Sequence, residues 1–581
     1  MKKRILTLVM AIALILSMAP VSALADNPLL PLWERIPDGE PKVFADPETG
    51  EERVYVYGSH ETFNPDGFGY CGQDHVVWSA PTDDLTDWRH EGVAFEMTQL
   101  EGLPYIDEET GEEATLELDM ERHVLYAPDV VYNPTTEKYY MYLFIAAGKP
   151  ASVMYVASSE SPAGPFVDPQ FVTLGFDPAV LVDDEVDANG NQRVYLYYSR
   201  EATRDLFACE LDPTDMCTIL EGSLHYPDTF AEEQPELSTM ISKNYAPFHL
   251  FEGPSIRKIN GVYILSYARS EPFGKSGNGK LSEIGWCYSD NPYGDPALGS
   301  AWTYGGVIVS NKGSIVANPY YEEEQAEADA YNATKGEKDK EKTATAEFYS
   351  YVGNNNHGGM VEIDGQWYQI YHRDTNLNSK RQAMIEPIEI SFDADGNPVI
   401  EEVEMTSQGI EKDGMDPYAW HYAQSACYAT PQTKVNGVPN APWMVSYDGS
   451  FDPDAEHGDW FPVANIKNKA WLGYKYFNFA DGAADGIALT LEMIEEQPAT
   501  INVYAADAKA HASDAEPERT LIGTLELTGE NADVHEVSIP VDAATLTGKK
   551  AIFLEFRSDA VDEEGSAVEV CQINRICFTV E

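Results

Sequence analysis

Five short stretches of the chain share one pattern, VYVYGSH at 54–60, YYMYLF at 139–144, VYLYYSR at 194–200, VYILSYA at 262–268 and WYQIYHR at 367–373. Aromatic and β-branched residues dominate each stretch, which is typical of β-strands. Gly, Pro, Asn and Asp separate the stretches, and helical periodicity is almost absent. The copies recur at intervals of roughly 55 to 105 residues, which indicates a repeat with long loops. We therefore predict a five-bladed β-propeller over residues 26–410, with an irregular β-sandwich as the alternative.

A second β-rich region follows the repeats. Between the fourth and fifth copies, residues 321–342 are rich in Glu and Lys, which predicts a solvated insertion, helical or disordered, without a functional role. From about residue 418, roughly seven apolar stretches at regular spacing predict a second domain. The predicted fold class is all-β, a five-bladed propeller followed by a connector and a β-sandwich of the jelly-roll type within 411–581.

The first residues resemble an export signal. Lys2, Lys3 and Arg4 precede an apolar run over 5–16, and small residues at 23–25 offer a cleavage site. The apolar run is shorter than the roughly 20 residues that span a bilayer. We predict that residues 1–25 are a cleaved signal peptide and that the protein is secreted rather than held in a membrane.

Charge and cysteine content exclude several functions. The chain has 97 acidic and 38 basic residues, a formal net charge of −59. Nucleic acids and anionic membranes require clustered positive charge, so neither is an expected partner, whereas a neutral polysaccharide is compatible. The seven cysteines do not form a disulfide-dense scaffold. Cys209 with Cys217, and Cys571 with Cys577, are close enough in sequence to pair, and buried free thiols are the alternative.

Three segments place an acidic residue and a proline before an apolar strand. They read PDGEPKVF at 37–44, FDPAVLVD at 176–183 and FEGPSIRK at 251–258. If the strands radiate from one axis, these carboxylates converge on one pocket. Glycoside hydrolysis needs a carboxylic acid to protonate the leaving oxygen and a carboxylate to activate water or attack carbon. A single such residue is more often a turn residue, but the repetition favours catalysis.

These segments, together with YAPDV at 126–130 and WYQIYHR at 367–373, resemble glycoside hydrolase family 43 in motif order from residue 27 to about 410. That family contains mainly β-xylosidases, α-L-arabinofuranosidases and arabinanases. The resemblance implies an inverting hydrolase that acts on arabinose- or xylose-containing plant polysaccharides or oligosaccharides, with exo action favoured over endo. A galactosidase or an endo-arabinanase on the same fold is an alternative. A non-catalytic sugar-binding propeller is another, although it predicts the loss of at least one carboxylate.

The resemblance also implies roles for individual carboxylates. Glu252 corresponds to the general acid, and Asp177 to the residue that tunes its pKa and orientation. The general base is ambiguous, because the family commonly has Ala-Asp-Pro where this chain reads PDGEP at 37–41. Alignment on the proline selects Glu40, whereas the residue type selects Asp38, which we prefer.

Further residues are candidates for contact with the sugar. Tyr126 and Phe251 are aromatic rings that can stack on it. The resemblance places the other candidates near the pocket. They are Asp129 and His357, together with His372 and Arg373 after the fifth repeated stretch, where the family often has a polar contact at the pocket rim. Some family members hold a hydrated calcium near the histidine that matches His357, so a structural Ca²⁺ is an open expectation, and no cofactor is expected to be required.

The C-terminal region resembles family 6 carbohydrate-binding modules in the order of its strands, from 473–479 to 573–578. This implies that the region binds or orients polysaccharide. Trp460 and Trp471 are the candidate stacking residues. A packing domain without sugar binding is the alternative.

Overall fold

The computed structural model describes residues 25–580 apart from 63–69, 108–109, 147–151, 201–204, 227–240, 242–246, 271–280, 296–300, 336–342, 352, 377–379, 432–433, 436–437, 440, 446–459, 481, 483, 495–497, 529–534 and 564. The predicted signal peptide, residues 1–25, lies outside these ranges except for Ala25. None of the helices in the described ranges combines the length and the apolar character that a bilayer crossing requires.

Five antiparallel sheets follow one another along the N-terminal two thirds of the chain. The first contains β1 (Glu40–Ala45), β2 (Glu52–Tyr57), β3 (Asp74–Pro81) and β4 (Arg89–Glu96), and the second contains β7 (Val124–Asn133), β8 (Lys138–Ala146), β9 (Val153–Ser159) and β10 (Val167–Leu174). The third contains β11 (Phe176–Val186), β12 (Gln192–Ser199) and β13 (Leu206–Leu211). The fourth contains β14 (Leu250–Ile259), β15 (Val262–Ser270), β16 (Leu281–Ser289) and β17 (Thr303–Ser310), and the fifth contains β20 (Met360–Ile363), β21 (Gln366–Asp374) and β22 (Arg381–Ile388).

Short elements decorate these sheets. Three hairpins are formed by β5 (Pro104–Ile106) with β6 (Glu113–Thr115), β18 (Ile315–Ala317) with β19 (Glu347–Tyr349), and β23 (Ile390–Phe392) with β24 (Pro398–Ile400). The helices are α1 (Tyr321–Ala333) and 3₁₀ turns at Met97–Leu100, Ala423–Ser425 and Ala543–Thr545. The predicted insertion therefore contains a helix, and its residues 336–342 lie outside the described ranges.

The five repeated sequence stretches lie on the second strand of each sheet, namely β2, β8, β12, β15 and β21. A second strand has hydrogen-bonded neighbours at both edges. The adjacent sheets cover both of its faces, which explains its aromatic and aliphatic composition. Their tyrosines fill the contacts between sheets: Tyr55 with Tyr155, and Tyr197 with Tyr263, belong to shared clusters. Each sheet packs against the next in this way, and Val56 of the first sheet shares a cluster with Ile370 of the fifth.

The C-terminal strands are β25 (His421–Tyr422), β26 (Tyr428–Thr430), β27 (Lys434–Val435), β28 (Val438–Pro439), β29 (Trp443–Met444), β30 (Val463–Ile466), β31 (Ala470–Asn478), β32 (Gly486–Met493), β33 (Ala499–Asp507), β34 (Thr520–Leu527), β35 (His535–Pro540), β36 (Lys549–Ser558) and β37 (Cys571–Thr579). Eleven of them form a six-stranded sheet with the order β29-β30-β37-β32-β35, to which β25 adds through β37, and a five-stranded sheet with the order β26-β31-β36-β33-β34. The other two, β27 and β28, pair with each other. Leu489 of the first sheet and Leu554 of the second belong to one buried cluster. The predicted all-β class is confirmed.

That same cluster continues into the fourth and fifth sheets, where it includes Trp286 and Met384. The first described residues reinforce the junction. Asp26 Oδ2 lies 2.5 Å from His421 Nδ1. The Asn27 side chain donates to Ile385 O at 2.9 Å and accepts from Ile385 N at 2.8 Å. All seven cysteines are free thiols, so the possible disulfide pairs do not form.

Glu386 lies at the centre of this junction. Its carboxyl group contacts Asn27 Nδ2 at 3.1 Å, Tyr371 Oη at 2.9 Å and Thr406 Oγ1 at 2.6 Å. Burial raises the pKa of Glu386 to about 8, against contacts with Thr406 and Tyr371 that lower it. The group is therefore largely neutral at pH 7 in the folded protein.

Because the pKa of Glu386 is raised from its ordinary value of 4.5 to about 8 on folding, the stability that the protonated group contributes is complete below pH 4.5 and lost as the pH rises to about 8. We expect the melting temperature of the wild type to fall relative to that of Glu386→Gln across this window, with no further change above it. Thermal unfolding from pH 4.5 to 9 measures this. Glu362→Gln, at an exposed position of β20, is the control, and a constant difference between wild type and Glu386→Gln would contradict the assignment.

Candidate active site

Three first strands break their register at the proline segments singled out in the sequence. The shift lies between Tyr126 and Asp129 in β7, between Phe176 and Ala179 in β11, and between Glu252 and Ser255 in β14. Such bulges re-aim side chains away from the regular ladder. Asp177 adopts a φ of 52° there, and Asp38, just before β1, a φ of 61°. Left-handed backbone is uncommon for residues other than glycine and clusters at functional sites.

Asp38 is buried and held by four neighbours. Ser59 Oγ donates to its Oδ2 at 2.7 Å, and Arg381 Nη1 donates to its Oδ1 at 3.1 Å. His372 Nδ1 and His357 Nδ1 lie 3.3 and 3.6 Å from Oδ1. Burial alone would raise the pKa of this carboxyl, but Arg381 and the two histidines outweigh it and hold the pKa well below its usual range. Asp38 is therefore ionised at neutral pH.

Arg381 belongs to the site and was not predicted from the sequence. It begins β22, and its Nε donates to Glu61 Oε1 at 2.8 Å while its guanidinium lies 5.3 Å from the centre of the Tyr70 ring. Its partners Glu61 and Asp38 come from segments more than 300 residues earlier in the chain, so no local pattern in the sequence marks it.

His372 lies behind Asp38 rather than at a pocket rim, which corrects the predicted position. It is fully buried, its Nδ1 accepts the Asp38 backbone N–H at 3.2 Å, and its Nε2 lies 3.2 Å from Asn354 O. Burial and the nearby Arg381 lower its pKa to about 4. A neutral imidazole with a proton on Nε2 satisfies both contacts. His372 therefore fixes the backbone of Asp38.

The other two carboxylates are linked to Asp38 through His357. Asp177 Oδ2 accepts the backbone N–H of Gly253, the residue after Glu252, at 3.0 Å. Gly253 has a φ of 64°, and a Cβ there would lie 2.6 Å from the His357 ring. The ring in turn lies 3.6 Å from Asp38. The structure thus brings together Asp38, Asp177 and the backbone next to Glu252.

Glu40 occupies a different environment. Arg257 Nη2 donates to its Oε1 at 2.6 Å, and Lys42 Nζ lies 3.1 Å from the same atom. Burial raises the pKa of Glu40, but Arg257 and Lys42 outweigh this and lower it to about 2. Both charged partners satisfy the carboxylate within the protein.

Asp129 belongs to this ion-pair network and not to a sugar-contacting surface, which corrects its predicted position. Its Oδ1 lies 2.9 Å from Lys42 Nζ, and its Oδ2 accepts the Val180 backbone N–H at 2.6 Å. The side chain is buried. Asp129 therefore joins the first strands of three sheets, β1, β7 and β11.

Arg373 also differs from its predicted place at the pocket rim. Its side chain is fully buried, where it donates to Ala426 O at 2.8 Å, to Gln424 O, and to Gln382 Oε1 at 3.1 Å. Neighbouring residues of a strand point to opposite faces. His372 faces the site, so Arg373 faces away from it and binds the connector to the C-terminal region.

The aromatic candidates remain partly accessible. Phe251 and Glu252 are half-buried, in contrast to Asp38 and Asp177. Tyr126 is also half-buried and stacks on Phe144, with ring centres 5.3 Å apart. The site therefore combines two buried carboxylates with one that solvent or a ligand can reach.

The residues present do not fit a directly bound calcium. Among the described residues, no group of three or more His, Cys, Asp or Glu side chains could hold a metal ion. His357, which the resemblance associates with a metal, lies next to Asp38. Burial lowers the pKa of His357 against the charges of Asp38 and Glu40, and the guanidinium of Arg381 lowers it further. The positive charge of Arg381 disfavours a cation next to His357.

In the C-terminal region, Trp471 is packed rather than presented to a ligand. It is 6% exposed, its Nε1 donates to Tyr320 Oη at 3.1 Å, and the Arg519 guanidinium lies 4.8 Å from its ring centre. Tyr320 precedes α1, so the insertion covers this face of the five-stranded sheet. Trp460 is half-buried.

Comparisons with known proteins identify the family of the chain. The family model described as Glycosyl hydrolases family 43 matches residues 50–398, a range that contains Asp177 and Glu252 and begins after Asp38 and Glu40. A xylosidase/arabinosidase of Thermoclostridium stercorarium is 33% identical over 476 residues, 78% of this chain and 82% of the relative. An arabinoxylan arabinofuranohydrolase of Paenibacillus polymyxa is 24% identical over 502 residues, 80% of this chain and 66% of the relative.

Among solved structures, a family 43 arabinoxylan arabinofuranohydrolase from Bacillus subtilis in complex with cellotetraose superimposes with a TM-score of 0.40 and 19% identity over 96% of this chain and 98% of that one. The family model covers more than half of the chain, and a relative of similar length is 33% identical. The chain therefore belongs to glycosyl hydrolase family 43, and the protein is a glycosidase.

Proposed function

We propose that this glycosidase removes arabinose or xylose from arabinoxylan or its oligosaccharides by single displacement with inversion, with Asp38 as general base and Glu252 as general acid. The observation that carries the proposal is the contact chain from Asp38 through His357 and Gly253 to Asp177. It connects Asp38 before the first sheet and Asp177 of the third sheet to the backbone next to Glu252 in the fourth sheet. An inverting hydrolase needs a base and an acid on opposite sides of the sugar ring.

We also propose a closed propeller and a jelly-roll sandwich as the folds of the two regions. The shared clusters between successive sheets, and the bond from Gly359 N to Gly39 O at 3.0 Å between the fifth and first sheets, support a closed five-bladed propeller over residues 26–410. The two packed C-terminal sheets support a jelly-roll sandwich similar to family 6 carbohydrate-binding modules within 411–581. A chain that begins with a cleaved signal over 1–25 would act outside the cell.

Asp38 is suited to the role of base because it is always charged. Arg381 and Ser59 orient both of its oxygens, and His372 fixes its backbone. The same contacts lower its basicity. The carboxylate therefore takes a proton from water only late, when the leaving group has departed and the sugar carries the positive charge of an oxocarbenium-like transition state.

Glu252 is suited to the role of acid because it is the accessible carboxyl group of the three. The adjacent peptide N–H is fixed by Asp177. This bond sets the direction in which the Glu252 side chain leaves the backbone, and the negative charge of Asp177 nearby favours the protonated form of Glu252. A protonated carboxyl can then donate to the glycosidic oxygen.

The arabinoxylan substrate is supported by the names of the relatives, a xylosidase/arabinosidase and an arabinoxylan arabinofuranohydrolase. The high negative charge of the chain is compatible with this uncharged polymer and disfavours anionic ones. Glu40 is not assigned as base, because Arg257 and Lys42 hold it in the network that joins the first strands. Asp38, in contrast, is connected through His357 to the segment that carries Glu252.

We expect Asp38→Asn and Glu252→Gln each to lower kcat/KM on an arabinoxylan oligosaccharide by roughly 10²–10⁴-fold, because each removes a proton-transfer group. The loss in Glu252→Gln should shrink on an aryl glycoside with a good leaving group, which needs no protonation. Glu40→Gln should retain activity within about tenfold but lose roughly 3 kcal/mol of stability, since it breaks a buried ion pair.

Initial rates on both substrates and thermal unfolding measure these effects, and proton NMR of the first-formed sugar anomer tests inversion. Loss of activity in Glu40→Gln with retention in Asp38→Asn would assign the base to Glu40. Retention of the anomeric configuration would contradict the single-displacement mechanism.

Gly253→Ala tests the contact with His357. A methyl group there meets the imidazole at 2.6 Å, so we expect the ring and the Glu252 backbone to shift and kcat/KM to fall roughly 10²-fold. Gly261→Ala is the matched control, since Gly261 has a φ of 83° in the same sheet with nothing within 4 Å of its Cβ position. The control should lose about 1 kcal/mol of stability and no activity. Equal losses of activity in both variants would show that backbone strain, and not the His357 contact, is responsible.

A further inference from the structure

Glu61 is a buried carboxylate beside Asp38 to which the proposed mechanism gives no role. It directly follows the first repeated stretch, 54–60, and its side chain is fully buried. Removing a carboxylate from water costs free energy unless hydrogen bonds and a positive charge compensate it. The burial of Glu61 therefore depends on the groups that contact it.

Both oxygens of Glu61 accept hydrogen bonds from one residue, Arg381. Oε1 accepts from Nε at 2.8 Å, and Oε2 accepts from the backbone N–H. A guanidinium is planar and rigid, so a bond at Nε fixes the directions in which Nη1 and Nη2 point. These two atoms face Asp38, where Nη1 lies 3.1 Å from Oδ1 and Nη2 lies 3.5 Å from Oδ2. Glu61 therefore aims the part of Arg381 that contacts Asp38.

The other neighbours of the guanidinium are weaker acceptors. Its carbon lies 5.3 Å from the centre of the Tyr70 ring, and Nη2 lies 3.8 Å from Cys71 Sγ. An aromatic ring and a thiol attract a guanidinium less strongly than a carboxylate does. The orientation of Arg381 therefore depends most on the carboxylates of Glu61 and Asp38.

The backbone of the segment that carries Glu61 is fixed close to Asp38. The Glu61 N–H donates to Arg35 O at 3.0 Å. Two residues earlier in the same segment, Ser59 Oγ donates to Asp38 Oδ2 at 2.7 Å. This short segment therefore acts on Asp38 directly through Ser59 and indirectly through Glu61.

Glu61 also affects the charge balance at Asp38. Burial raises the pKa of Asp38, and Arg381 lowers it more strongly. The negative charge of Glu61 offsets part of the positive charge that Arg381 places beside Asp38. Burial raises the pKa of Glu61 as well, and its hydrogen bonds with Arg381 lower it, so these bonds favour the charged form. Because Arg381 is shared, Asp38 stays more basic than it would be as the sole partner.

We propose that Glu61 is a positioning residue for the general base: it orients Arg381, and Arg381 in turn sets the direction and the basicity of the Asp38 carboxylate. The inference rests on the proposed function, in which Asp38 takes the proton from water. It assigns no contact between Glu61 and the sugar, because the Glu61 side chain is fully buried.

A double-mutant cycle tests this inference. Glutamine has one acceptor oxygen and an NH₂ group, so Glu61→Gln keeps only one of the two bonds from Arg381. We expect it to lower kcat roughly 10- to 100-fold, with KM changed by less than about threefold. The factor should be the same on an aryl glycoside and on an arabinoxylan oligosaccharide, because both require attack by water. In the Asp38→Asn background, Glu61→Gln should cost less than about twofold, since no base is left to orient.

A second cycle uses Arg381→Lys. Lysine lacks the rigid fork through which Glu61 aims the guanidinium. Adding Glu61→Gln to Arg381→Lys should therefore also cost less than about twofold in kcat. This cycle gives the answer if the activity of Asp38→Asn is too low to measure.

Glu34→Gln is the matched control. Glu34 is also a buried carboxylate, but its Oε2 accepts from Trp78 Nε1 at 2.7 Å and its Oε1 from the Arg35 N–H at 2.7 Å. Glu34→Gln should lower the melting temperature and leave kcat within about twofold of wild type. If Glu61→Gln fails to fold, Glu61→Asp replaces it in both cycles, because a side chain one methylene shorter also withdraws the carboxylate from Arg381.

An unchanged kcat in Glu61→Gln would overturn the inference. A loss that is equally large in the Asp38→Asn or Arg381→Lys background would also overturn it, since Glu61 would then act independently of the base. Neither outcome affects the proposed function. Full activity of Asp38→Asn, in contrast, would overturn the proposed base and the inference with it.

Discussion

The pairing of Arg381 with Asp38 is the interaction on which the rest of the site depends. A buried carboxylate is costly unless a positive group and further hydrogen bonds compensate it. Asp38 receives that compensation from a strand that lies more than 340 positions later in the chain. The first and fifth sheets must therefore pack against each other before Asp38 can be both buried and charged. The clusters of tyrosine, valine and isoleucine between the sheets serve this requirement.

A second ion-pair network stabilises the packing of the sheets on one another. It is formed by Glu40, Lys42, Asp129 and Arg257. It joins the first strands of the first, second and fourth sheets, where their backbones come closest. Like charges gathered in one place would repel, so the lysine and arginine make the assembly of several carboxylates possible. Glu40 and Asp129 are thereby neutralised and stabilise the fold, whereas Glu252 stays accessible for catalysis. The difference between these carboxyl groups lies in their partners and not in the residue type.

The sequence predicted the elements whose signals are local. The five aromatic stretches mark second strands because both faces of such a strand are buried, and the proline segments mark the bulges that aim Asp177 and Glu252. The roles of Arg381, His372 and Asp129 could not be predicted, since each depends on which distant strand lies opposite. The predicted position of Arg373 was wrong for the same reason. A shift of the strand register by one residue decides whether Arg373 or His372 faces the site. From the sequence, Trp471 was a candidate for stacking on a sugar. In the structure, Tyr320 and Arg519 contact its ring instead.

The contacts of Asp26 and Asn27 with residues 385–421 have a consequence for the order of events in biosynthesis. Asn27 emerges first and finds its partner Ile385 only 358 residues later. At 5–20 residues per second, this segment waits roughly 20 to 70 seconds without its native neighbours. The contacts of the fifth sheet and the connector are therefore completed by residues near the N-terminus, which are synthesised early. Until then, the side chains of Leu29 and Leu30 lack the part of their cover that Ala383 and Ile385 provide.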